Sequence, residues 1–458
     1  MTQRLCGALV ATGLMLAPAA AVAEPSASTF KLGNGMDVVV IPDHRVPVVT
    51  HMVWYRVGAG EDPWGTSGIA HFLEHLMFKS TGKLKSGEFS RIITSIGGRD
   101  NAATTHDTTS YYQRVAKEHL REVMELEADR MVNLRLLEEE VRTERDVIQE
   151  ERRTNVDGSP LSVLSEQMAA ALFQNHPYHR PVLGWAHEMA QLSLQDAATF
   201  YHHYYAPNNA VLVVAGDVTP DEVRRLAEAT YGRNKASGQF GRRVRPRDPP
   251  DVAQRRVRLV DERAGNPVLI RYYRAASYAS ARPGEAEALE LLAWVLGGDD
   301  TSRTYRRLVE ARLASTAGTN YESEGLDGGR LGFVVIPVSG VTLERAQAVL
   351  DATIGEVIEN GVTQAELDRA KAAFEAQWVF EADNQGALAH RYGLGIALGR
   401  TIAEIDAVPT LVREQTLADV KRVAAENLKL ERSVTGTLES PPAAPAKTAS
   451  PMPAAAGK

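Results

Sequence analysis

Three side chains within five residues can do metal chemistry. The stretch Gly68-Ile-Ala-His71-Phe-Leu-Glu74-His75-Leu-Met-Phe78 sets two imidazoles four residues apart with a carboxylate between them. On a helix, residues at i and i+4 stand one turn apart on the same face, so His71 and His75 can grip one cation. Glu74 lies beside them, within reach of water at that cation without being a ligand itself. The pattern H-x-x-E-H inverts the H-E-x-x-H signature of metalloproteases. With 12 histidines in 458 residues, chance supplies roughly 0.02 such constellations. Paired core or surface histidines are therefore the weaker explanation.

A catalytic zinc site takes three protein ligands and keeps one position open. The acidic segment 138–153 reads as a helix and offers Glu144, Glu150 and Glu151. Glu144 and Glu151 are seven residues, two turns, apart on one face. Glu151 is then a candidate ligand, with Glu144 orienting a ligand or the water from behind. Spacing alone does not choose between Glu150 and Glu151. The competing reading is a solvated face paired with Arg142, Arg145 and Arg152.

Other elements must hold these residues. Ile69, Phe72, Leu73 and Leu76 recur at i, i+3, i+4 and i+7 and give the motif helix one buried stripe. Runs 36–41, 48–55 and 210–215 are β-branched and aromatic, and read as strands. Segment 118–133 reads as a helix. Residues 235–250 collect Gly, Arg, Pro and Asp with few large apolar side chains, as a linker does. The second half begins like the first, with a strand at 267–273, a loop and an apolar helix at 285–296. A strand at 331–336 and a helix at 365–380 follow. Two copies of one α+β unit of about 200 residues each account for this order.

The ends and the composition narrow the class. Residues 1–23 carry Arg4, an apolar run from Leu5 to Pro18 and an A-x-A site at Ala21-Val22-Ala23, the order of an export leader. The apolar run is too short to span a membrane. The one cysteine, Cys6, falls inside it, so no thiolate is expected in the mature chain. Residues 440–458 are Pro- and Ala-rich and read as a disordered tail. A net charge of −7, with no basic run interleaved with aromatics, argues against a nucleic-acid partner. The expected division is 1–23 leader, 24–234 first domain, 235–252 linker, 253–439 second domain and 440–458 tail. His51, His176, His179, His202 and His203 read as packing or surface residues, and His106 as a possible cleft residue.

The segment His71-Phe-Leu-Glu-His-Leu-Met-Phe-Lys-Ser-Thr81 resembles the zinc motif of the pitrilysin/insulinase peptidases, which include the mitochondrial processing peptidases. Glu144-Arg-Asp-Val-Ile-Gln-Glu-Glu151 resembles that family's downstream glutamate segment, at a matching gap of 76 residues from His75 to Glu151. Asn101-Ala-Ala-Thr-Thr-His-Asp-Thr-Thr-Ser-Tyr111 resembles its substrate-binding edge strand. His176-Pro-Tyr-His-Arg-Pro181 and Tyr204-Tyr-Ala-Pro-Asn-Asn-Ala210 are also similar to it. The likeness runs from about Phe30 to Leu430.

The resemblance implies two related domains, each an antiparallel β-sheet backed by α-helices, facing across a substrate cavity. It implies one zinc ion per chain held by His71, His75 and Glu151, with Glu74 as general base and Glu144 behind the ligands. Peptides would pair with Asn101, Ala102, Ala103 and Thr104. Complete members carry an Arg and a Tyr in the second domain that hold substrate near the metal. Arg303 matches the Arg, but Thr316 stands where the Tyr belongs, and Tyr321 is five residues late. Glu290, Ala293 and Trp294, aligned by position after the strand, do not rebuild the motif in the second half. This pattern implies the zinc-bearing partner of a homologous subunit that lacks the motif, in a heterodimer, with a homodimer as the alternative. The expected function is peptide-bond hydrolysis in peptides or unfolded segments, in a periplasm or outside the cell. A catalytically silent structural or peptide-binding subunit is the competing expectation, and it gives no reason to keep His71, Glu74, His75 and Glu151 together.

Overall fold

The computed structural model describes residues 27–442. The expected leader, 1–23, and the tail from 443 onward lie outside the described residues.

The first half gives β1 (Ser28–Lys31), β2 (Asp37–Pro42), β3 (Val48–Tyr55), β4 (Arg99–Thr104), β5 (Thr109–Ala116) and β6 (Ala210–Gly216), of which β2, β3 and β6 are the expected runs 36–41, 48–55 and 210–215. They form one sheet in the order β1-β2-β6-β3-β5-β4. The second half gives β7 (Arg255–Val260), β8 (Val268–Ala275), β9 (Ala314–Glu322), β10 (Gly329–Pro337) and β11 (Ser433–Glu439), ordered β7-β11-β8-β10-β9. Leaving out β1, the two orders are the same, so the faint repeat in the sequence is a repeat of topology. Both sheets depart from purely antiparallel pairing at the same place. β2 runs parallel to β6, and β7 parallel to β11. A parallel neighbour needs a long crossover, and in each half nearly the whole unit lies between those two strands.

Helices cover the sheets. They include α1 (Ile69–Leu76), α2 (Leu120–Asn133), α3 (Glu138–Arg152), α4 (Pro160–Leu172), α5 (Glu285–Gly297), α6 (Gln364–Ala382) and α7 (Gln385–Ala397). Successive residues of a strand point to opposite faces. On β3, Val49, Val53 and Tyr55 pack against Phe72, Leu73 and Leu76 of α1 and Val123 of α2. Met52 and Trp54 point the other way and meet Leu388, Ala389 and Tyr392 of α7, which comes from the second half. The exchange is reciprocal. Leu164, Met168 and Leu172 of α4, from the first half, cover Val268, Ile270, Val434 and Leu438 of the second sheet. Both faces of the central strands of each sheet are therefore covered, which is why β6 reads as a continuous apolar run.

The linker is strapped between the halves. Arg245 pairs with Glu61, with Asp107 at 2.5 Å and with Asp327 at 3.0 Å. Among the described residues, no helix is long and apolar enough to cross a membrane.

Candidate metal centre

The motif helix starts abruptly. Gly68 takes a left-handed conformation (φ +88°) ahead of Ile69, and a side chain there would run into the Leu183 carbonyl. Asp62 supplies the cap from outside the helix. Its carboxylate accepts the Gly68 N–H at 2.7 Å and the Ala70 N–H at 3.1 Å, satisfying donors that a helix start leaves open. Burial pushes Asp62 up to about 8 against those two hydrogen bonds. The Arg180 guanidinium holds the same turn by donating to the Asp62 carbonyl at 2.7 Å.

So anchored, α1 delivers both imidazoles to one point. Nε2 of His71 lies 3.5 Å and Nε2 of His75 3.3 Å from Glu151 Oε2, which arrives from α3. The three ligand atoms lie within 4.8 Å of one another. Glu151 Oε2 is buried and receives no hydrogen bond. Two imidazole nitrogens and a carboxylate oxygen facing one another suit a cation between them, and imidazole with carboxylate is a donor set of catalytic zinc. The residues present fit the metal. Glu150, the alternative to Glu151, points outward and pairs with Arg153.

Each ligand is prepared by its surroundings. Burial, with His75 nearby, lowers His71 to about 3, which keeps its ring neutral. For His75, burial opposes charge, but Glu144, Glu74 and Glu151 outweigh it and raise the ring above its usual range. Glu144 Oε1 accepts from His75 Nδ1 at 2.9 Å, which turns the Nε2 lone pair toward the shared point. Lys79 pairs with the other oxygen of Glu144. Burial pushes Glu144 up, yet the bonds from His75 and Lys79 hold it below its ordinary value.

Glu74 is buried beside this group and outside it. Burial raises it, and a 2.6 Å hydrogen bond from Thr104 Oγ1 opposes the rise. Thr104 ends β4, which among the described residues pairs only with β5 and so leaves its other edge open. Asn101, Ala102 and Ala103 lie on that edge strand, and the chain turns at Thr105.

Arg303 stands in the second half, forked onto Glu366 at 2.8 and 2.7 Å. Tyr321 gives its hydroxyl to the Ala276 carbonyl at 2.7 Å. His106 bonds the Arg180 carbonyl and lines a cavity of about 230 Å³ between the halves. Sequence reasoning missed Asp62, Lys79 and Arg180. Only Asp62 left a signal, an acid a few residues ahead of a helix start.

Similarity to known proteins agrees with this geometry. Residues 37–185 match the model of the insulinase family, peptidase family M16, and residues 191–374 match the M16 inactive domain. An uncharacterized zinc protease of Mycobacterium bovis is 30% identical over 428 residues, covering 90% of each chain. The chain belongs to peptidase family M16. Zinc protease PqqE of Helicobacter pylori is 28% identical over 413 residues, 90% of this chain and 92% of its own. The crystal structure of a protease from Helicobacter pylori superposes with a TM-score of 0.84, covering 91% of this chain and all of the other. The first half of the periplasmic protease PqqL from Escherichia coli shares the fold at 20% identity, with a TM-score of 0.76 over 90% and 92% of the two chains. The family places this chain among peptidases.

The second M16 domain carries the motif helix in altered form. α5 also starts after a left-handed glycine, Gly284 (φ +78°). Counting from that cap places Glu287, Glu290 and Leu291 where His71, Glu74 and His75 stand in α1. This corrects the sequence alignment to Glu290, Ala293 and Trp294, which counted from the strand without seeing the shared cap. Neither register offers an imidazole pair.

Proposed function

We propose that this chain is a zinc-dependent metalloendopeptidase that cleaves peptides or unfolded segments. The convergence of His71, His75 and Glu151 on one point, with Glu74 beside it, carries the reading. Zinc held there supplies Lewis acidity, which brings water ionisation near neutral pH and polarises the scissile carbonyl. Glu74 takes a proton from the attacking water and returns it to the leaving amine. Its burial raises its proton affinity toward that task. An extended peptide adds to the open edge of β4 over Asn101, Ala102, Ala103 and Thr104 through backbone hydrogen bonds. Because Thr104 touches Glu74, a peptide on that edge passes the carboxylate.

Neither Arg303 nor the Tyr321 hydroxyl is free, since both are spent within the second half. This supports a homologous subunit, lacking the zinc motif, that completes the substrate site in a heterodimer; a homodimer is the alternative. The leader supports export, to a periplasm or out of the cell. A silent subunit would have no use for three converging ligands with Glu74 beside them.

Cleavage of an unstructured peptide by the purified chain, with and without candidate partner and chelator, tests this reading. The expected result is one zinc per chain, activity abolished by chelation and restored by zinc, and a gain on adding the partner. Full activity without the partner would remove the heterodimer from the account, and activity indifferent to chelation would remove the metal.

A further inference from the structure

We infer that Lys79 is a positioning residue for the metal centre, acting on His75 through Glu144. The inference rests on the metal reading proposed above. Lys79 follows His75 by four residues, just past the end of α1. Glu144 is buried and uses both oxygens, Oε1 for His75 Nδ1 at 2.9 Å and Oε2 for the Lys79 ammonium. A buried carboxylate with one oxygen unpaired is costly, and it rotates to find another donor. Lys79 fills that second place and so fixes the plane of the carboxylate. The fixed plane keeps Oε1 on Nδ1, and the ring keeps its Nε2 lone pair on the point shared with His71 and Glu151.

Its neighbour extends the grip. Ser80 Oγ donates to Glu140 Oε1 at 2.6 Å, and the Ser80 carbonyl accepts the Arg135 N–H at 2.8 Å. Glu140 and Glu144 are one turn apart on α3, and Glu151 lies two turns beyond Glu144. The segment that closes the histidine helix thus holds α3 at two successive turns. The axial position of the third ligand is set by the same stretch of chain that carries the first two. Lys79 is the charged half of this grip, and Ser80 the neutral half.

The test uses the mature chain as Lys79→Met and Lys79→Arg. Zinc affinity is measured by competition with a chromophoric chelator, beside the melting temperature of the metal-free protein and kcat and KM on a peptide. Loss of such a supporting contact typically weakens metal binding 10–100-fold. Lys79→Met should fall in that range, and Lys79→Arg, which keeps the cation, should recover most of the affinity. Because Glu144 can rotate to give its freed oxygen another donor, the melting temperature of the metal-free protein should fall only slightly, out of proportion to the loss of affinity. Unchanged zinc affinity in Lys79→Met would overturn the inference. So would a Lys79→Arg variant as weak as Lys79→Met, or a melting temperature that falls in step with affinity, since each marks a merely structural contact. If Lys79→Met does not fold, Lys79→Gln replaces it under the same criteria. Failure of the metal reading is distinguishable, because the unaltered chain would then bind no zinc, or keep it after both His71 and His75 are replaced.

Discussion

Thr104 Oγ1 donates to Glu74 Oε2 at 2.6 Å. The bond joins the last residue of an open strand edge to the carboxylate proposed as the base. Whatever settles on that edge and whatever Glu74 does are therefore coupled through one hydroxyl. Thr104→Val keeps the shape and removes that donor. A hydrogen bond to a charged group is worth about 1.5–3 kcal/mol, so kcat should fall about tenfold or more with zinc content unchanged. A change confined to KM would show that the hydroxyl serves only the strand.

Beneath the motif, Arg130 and Glu127 form an ion pair with no exposure on either side chain. The guanidinium also lies over the rings of Phe78, Phe89 and Tyr111. Removing one member of a buried pair leaves the other charge stranded, at about 3–5 kcal/mol. Arg130→Ala should lose that much stability in urea unfolding. A loss under about 1 kcal/mol would mean that the pair does not brace the floor of the site.

The exchanged helix α7 approaches the first sheet at Gly393, where any added side chain overlaps the Trp54 ring. Gly393→Val should destabilise by about 1–3 kcal/mol through overpacking and raise proteolysis near the α7 contact. A variant as stable as the parent would place α7 away from Trp54.

Glu290 faces a cavity of about 400 Å³ beside Glu324 and Glu381. Burial, then Glu324, Glu381 and Glu287, raises it to about 7 from 4.5. Between those values the folded chain keeps a proton that the unfolded chain has lost. Stability contributed by Glu290 is therefore whole below about pH 4.5 and lost as pH rises toward 7. The difference is up to about 3 kcal/mol. Glu290→Gln should be more stable than the parent at pH 7 and alike at pH 4, as read from melting temperatures. A variant equally destabilised at both values would contradict the raised affinity.

Much of this was legible in the chain. The H-x-x-E-H helix and Glu144–Glu151 declare themselves through helical period, because one turn decides which side chains share a face. Strands β2, β3, β6, β8 and β10 declare themselves through β-branched and aromatic runs. The parallel pairs β2–β6 and β7–β11 did not, since pairing across a whole domain leaves no local trace. The exchange of α4 and α7 was hidden for the same reason. Residues 160–172 and 385–397 were not singled out in the sequence, and nothing local marks the sheet that each one covers. The resemblance to a known family named Glu151 where spacing alone left Glu150 open, and the outward pairing of Glu150 with Arg153 agrees with that choice. Lys79 sat in the quoted motif, yet its role depends on a partner 65 residues away on α3.

The central claim is that His71, His75 and Glu151 hold a zinc ion and Glu74 does proton transfer beside it. Zinc content and peptide cleavage, measured together on the parent, Glu74→Gln and Glu151→Gln, test it most directly. Glu74→Gln should keep one zinc per chain and lose about 10²–10⁴-fold in rate. Glu151→Gln should lose the metal and the activity together. An active Glu74→Gln, or a Glu151→Gln that binds zinc like the parent, would contradict the account.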